Sequence, residues 1–111
     1  MRSADQRLAD ILAATTDAAR IVQVGHRTFV DDPLLIRAAK NIISEIGEAA
    51  KALDDAFLTS IPGVPWKSVK GMRDKVAHHY PEVDIDLLWD TLVHGLPILH
   101  RAITQYMEST A

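Results

Sequence analysis

The stretch DPLLIRAAKNIISEIGEAAKALDDAF, residues 32–57, decides the fold. Leu35, Ala39, Ile42, Ile46, Ala49, Leu53 and Phe57 recur every three or four residues without a break, the period of one helical face. Asp32 before Pro33 is an N-cap followed by proline at the first helical position, where its missing N–H costs nothing. A helix of about 25 residues would span roughly 37 Å at 1.5 Å per residue. The alanines Ala38, Ala39, Ala49, Ala50 and Ala52 allow neighbouring helices to come close. Gly47 costs about 1 kcal/mol against alanine in a helix interior, so it is expected to mark a close backbone approach.

Working outward, a first helix is predicted from about Ala4 to Val24, with Ser3 as N-cap and Gly25 as stop. Its stripe is read as Leu8, Leu12, Thr15, Ala19 and Val22, and His26–Asp32 as a connector. After the central helix, Thr59–Pro65 is turn-rich, with Pro62, Gly63 and Pro65 as breakers. A third helix follows from Trp66 to Ala77 or His79. A fourth, capped by Asp84 or Asp86, carries Ile85, Leu88, Leu92, Leu96, Leu99, Ile103 and Tyr106. Pro97 removes the bond to the Val93 carbonyl, so this last helix is expected to kink or break near Gly95–Pro97 and to fray after Met107. No strand-like alternation, repeat or low-complexity run interrupts the pattern. The expectation is a single all-α domain over residues 1–111, an antiparallel helical bundle of four main helices.

Composition narrows the chemistry. The chain has 111 residues and is 48% hydrophobic, enough to fold. It has no cysteine, so thiol catalysis and cysteine zinc sites are excluded. No apolar run approaches the roughly 20 residues of a membrane span, and the N-terminus lacks the apolar core of a signal peptide, which fits a cytoplasmic protein. A net charge of -3 rules out bulk electrostatic binding of nucleic acid, leaving only a local basic patch for RNA. No His-Glu-x-x-His or phosphate-cradling glycine loop is present, so neither metal nor cofactor is expected.

The reactive groups concentrate in GMRDKVAHHYP, residues 71–81. On a helical wheel Val69, Met72, Val76 and Tyr80 form an apolar stripe, and Arg73 falls inside it. A guanidinium there needs either a carboxylate partner at an interface edge or a wet cleft where it can fork onto a phosphate. His78 lies about 140° away on the wheel. It reads either as a surface histidine near the last carbonyls or as an acid–base group oriented by Asp74, four residues before it. Tyr80 reads as an ordinary amphipathic tyrosine by position, and His79 is assigned no role. Arg73 and His78 do not converge on one continuous helix. Either the helix ends before His78, as the Tyr80-Pro81 step allows, or a second copy completes the site.

This segment resembles the signature of the HEPN superfamily, most closely its HepT-like branch: Arg73, the polar Asp74, three residues, His78, one residue, Tyr80. Flanking blocks match in register: Ile46-Gly47-Glu48-Ala49-Ala50-Lys51-Ala52-Leu53, Pro65-Trp66-Lys67, Gly71-Met72 and Leu88-Trp89-Asp90. The resemblance implies a helical homodimer with both motif segments lining one cleft. It also implies a metal-independent endoribonuclease, the toxin of a type VII toxin–antitoxin system, with Arg73 and His78 catalytic and Asp74 supporting. The implied partner is a minimal nucleotidyltransferase antitoxin that adds AMP to Tyr80.

Those residues suit RNA cleavage. Histidine can move the protons of the 2′-OH and the leaving oxygen, and arginine can stabilise the phosphorane charge without a metal. Lys67, Lys70 and Lys75 could guide a phosphate. A HEPN module that binds a nucleotide or protein without catalysis is the alternative, and a structural dimer with Arg73 in an interface ion pair is the third reading.

Overall fold

The computed structural model describes residues 1–78 and 84–110, and among them every regular element is helical. The order is α1 (Ala4–Gln23), α2 (His26–Asp31), α3 (Pro33–Lys51), α4 (Asp55–Thr59), α5 (Trp66–His78), α6 (Ile85–Asp90), a π-helical segment (Thr91–Gly95) and α7 (Leu96–Ser109). The architecture is the expected all-α antiparallel helical bundle with four main helical spans, the last of them interrupted just before Pro97. No helix among the described residues is long and apolar enough to cross a membrane.

The helix starts follow their local chemistry. Ser3 and Gln6 form a reciprocal capping box: the Gln6 N–H donates to Ser3 Oγ at 3.1 Å, and the Ser3 N–H donates to Gln6 Oε1 at 2.8 Å. Asp32 Oδ1 accepts from the Leu34 N–H at 2.9 Å, with Pro33 behind it in the first turn. Asp84 Oδ1 accepts from the Asp86 and Leu87 N–H groups. Gly25 ends the first run at φ +92°, a left-handed conformation that disfavours other residues.

Three expectations are corrected. His26–Asp31 is a helix, not a connector. Gly25 turns the chain, and Phe29 anchors the next turn by complete burial. The central helix stops at Lys51, well short of Phe57. The apolar period continues beyond it because the separate helix α4 buries Leu58 and half-buries Phe57 against the same core. Periodicity records which face is covered; it does not record that the chain bends between two turns. On α1 the buried face is Leu8, Ile11, Ala14, Thr15, Ala18 and Ile21, rotated from the predicted stripe, with Ala19 exposed. The neighbours of α1 explain the rotation, since its buried face has to meet both α3 and α7.

The break near Pro97 takes a specific form. Pro97 lacks the N–H that would bond the Val93 carbonyl, and the wider π turn over Thr91–Gly95 absorbs that defect just before α7. The helix then runs to Ser109. Leu88, Leu92, Leu96, Leu99 and Ile103 stay buried across the interruption, so the core face survives the change of pitch. Thr15 is the one buried polar residue of the described core, and its Oγ1 sits 2.8 Å from His100 Nδ1, tying α1 to α7.

Candidate active site

Helix α5 carries the candidate residues, and its principal packing partner is α3. Its start is pinned by Trp66, whose indole N–H donates to the Ile61 carbonyl at 3.1 Å. Val69 is buried, while Met72 and Val76 are half-buried against the core. The seam between the two helices lies at Gly47. A Cβ at that position would stand 2.9 Å from the Arg73 backbone nitrogen, 3.2 Å from Arg73 Cβ and 3.3 Å from the Val69 carbonyl oxygen. The expected close approach is therefore real, and the residue it meets is the motif arginine. Gly47 lets α5 lie against α3 with backbone-to-backbone contact, which fixes the position of Arg73 on the scaffold.

Arg73 itself is exposed and has no hydrogen bond or ion pair among the described residues. Its Cβ is at the helix seam while the residue as a whole is exposed, the arrangement of a long cationic side chain at an interface edge. An intramolecular carboxylate partner, one of the two readings of its position, is not present among those residues. Asp74 has a partner on α3: its Oδ2 lies 3.8 Å from Lys51 Nζ at the last turn of that helix, with both side chains more than half exposed; its expected contact with His78 falls on a side chain outside the described residues. Lys70 is held by an ion pair to Asp55 of α4. Lys67 and Lys75 are exposed and without described partners, so with Arg73 they give α5 three cations open to an anion. Gly71 has open space where a side chain would be. No cluster of three potential metal ligands occurs among the described residues.

His78 is still helical, so α5 does not end before it. Its side chain lies outside the described residues, as do His79, Tyr80 and Pro81. Lys51 is the site residue that the sequence reading passed over. It was legible in principle, because it stands four residues after Gly47 and so shares the helix face that meets α5.

A model of the family described as ribonuclease HepT-like matches residues 11–106, which includes the whole motif and all its flanking blocks. The chain belongs to this HepT-like family. Several relatives align over most of their length. A protein of Caldanaerobacter subterraneus subsp. tengcongensis named "Putative RNase" is 35% identical over 89 residues, covering 80% of each chain. A protein of Methanocaldococcus jannaschii with the same designation is 30% identical over 102 residues, 91% of this chain and 88% of the relative. The "Probable ribonuclease HepT" of Thermococcus cleftensis is 41% identical over 54 residues, 49% of each. No solved structure matches the chain significantly. As a HepT-like protein, the chain places its motif arginine on a helix held by backbone contact at Gly47.

Proposed function

We propose that this HepT-like protein is a metal-independent endoribonuclease, the toxin of a toxin–antitoxin pair, acting through Arg73 and His78 in the cleft of a homodimer. The observation that carries the reading is Arg73: an exposed guanidinium with no partner among the described residues, on a helix docked by backbone contact. A cation held in place but left uncompensated is the component that a phosphorane transition state needs. The family match and the designations of the relatives support the choice of RNA.

The chemistry is a transesterification. One histidine takes the 2′-OH proton as that oxygen attacks the adjacent phosphorus. A second gives a proton to the departing 5′-oxygen as the P–O bond breaks, leaving a cyclic phosphate. Arg73 binds the equatorial oxygens while charge accumulates on them. Positions 73 and 78 are about 140° apart on one continuous helix, so one chain does not present both to one phosphate; two copies supply two arginines and two histidines to a shared cleft. Helix α5, packed chiefly on α3 with Met72 and Val76 half-buried, offers a surface for that association. Lys67 and Lys75 extend the positive surface along the same helix. Tyr80, two residues beyond His78, is the proposed acceptor of AMP from a minimal nucleotidyltransferase, whose added phosphate would neutralise Arg73 and whose nucleoside would occupy the RNA path.

The test is cleavage of labelled RNA in excess EDTA by the parent, Arg73→Ala and His78→Ala, with helical content followed by circular dichroism. Both variants should lose cleavage and keep the parent spectrum. Cleavage by either at the parent rate would remove that residue from the mechanism.

A further inference from the structure

Two neighbours in the motif carry opposite charges, and only one of them suits an anion. Arg73 has no partner among the described residues and can meet a phosphate, but Asp74 follows it directly, with Cα atoms about 3.8 Å apart. A carboxylate so placed repels the phosphate that Arg73 attracts, with an interaction that reaches across about 10 Å at ordinary ionic strength. Lys51 pairs with that carboxylate, Nζ 3.8 Å from Oδ2. It comes from α3, and the Gly47 contact with Arg73 one turn earlier on the same helix locks the two elements together.

We infer that Lys51 is a positioning residue for RNA, acting on the phosphate at Arg73 by neutralising and holding Asp74. The inference rests on the ribonuclease reading and adds to it a residue outside the motif. As an exposed ion pair the contact contributes little to stability. Its effect is on the field at the phosphate site: with Lys51 the Arg73–Asp74 pair presents a net positive charge beside the RNA, and without it the two charges oppose each other. It also directs Asp74 toward α3. Because Lys51 acts through Asp74, Lys51→Ala should cost less RNA affinity in the Asp74→Asn background than in the parent.

The experiment measures binding of a fluorescein-labelled, 2′-O-methyl oligoribonucleotide by anisotropy, so that the readout does not depend on cleavage. Parent, Lys51→Ala, Asp74→Asn, the double variant and Lys51→Arg are compared at low and high salt, with thermal melts of each. Lys51→Ala should weaken binding about three- to tenfold at low salt, with a smaller effect at high salt and an unchanged melting temperature. Lys51→Arg should keep parent affinity, and Lys51→Ala with Asp74→Asn should recover most of it. For cleavable RNA, Lys51→Ala should raise KM more than it lowers kcat. Parent-like binding by Lys51→Ala, or a loss on Lys51→Ala as large in the Asp74→Asn background as in the parent, overturns the inference while leaving the ribonuclease reading standing. A parent that neither binds nor cuts RNA overturns both.

Discussion

Replacing Gly47 with alanine sets two known effects against each other, and the structure decides between them. In a helix interior the change gains about 1 kcal/mol in backbone propensity. The new Cβ, however, would stand 2.9 Å from the Arg73 nitrogen and 3.3 Å from the Val69 carbonyl oxygen. Both are backbone atoms of α5, so no side chain can rotate out of the way. The helices must separate by a few tenths of an ångström along their closest seam. Overpacking of this kind costs about 1–3 kcal/mol. The net expectation is a loss of about 1 kcal/mol, since the steric cost exceeds the propensity gain. At about 2.1 cal/mol/K per residue, a chain of 111 residues would melt about 4 °C lower. Gly47→Val should cost about 3 kcal/mol, adding two methyl groups and a β-branched penalty to the same clash. Gly71→Ala is the control: it is also mid-helix but has open space at its Cβ, so it should be neutral or gain up to about 1 kcal/mol. Urea unfolding monitored at 222 nm, at one fixed protein concentration, measures all three. A Gly47→Ala protein as stable as the parent would refute the idea that backbone contact at Gly47 holds α5.

Arg73→Ala and His78→Ala should each reduce RNA cleavage in EDTA by at least about a hundredfold, the scale of a lost acid–base or oxyanion group, with unchanged helical content. Lys51→Ala should weaken binding of uncleavable RNA and be rescued by Asp74→Asn. Light scattering at micromolar concentration should return twice the 12.3 kDa chain mass, and a clean monomer would count against the shared cleft. Incubation with a cognate minimal nucleotidyltransferase, ATP and magnesium should place AMP on Tyr80 by mass spectrometry and stop cleavage; an adduct elsewhere, or one without effect on cleavage, would reject inhibition through that residue.

The sequence by itself determined the class of fold and the starts of the helices capped by Ser3, Asp32 and Asp84, and it singled out the motif residues as candidates. Those properties are local: Ser3, Asp32 and Asp84 cap through side chains that reach only two or three residues, and Gly25 stops a helix through its own φ. The family likeness is also a one-dimensional pattern, and the match over residues 11–106 agrees with it. Even Gly47 was readable as a close approach, because a helix-interior glycine needs a reason. What meets a residue across space was decided by the tertiary structure. The central helix ends at Lys51 although its apolar rhythm continues, because Leu53, Phe57 and Leu58 reach the same core after a bend. A wheel of α5 places Asp74 only relative to its own helix, and its ion-pair partner Lys51, 23 positions earlier in the chain, comes from α3. Arg73 could be read as paired or as open, and only the packing of α5 on α3 leaves it open among the described residues. Local spacing assigns faces; the docking of helices remote in sequence determines which charges are cancelled and which remain for a ligand.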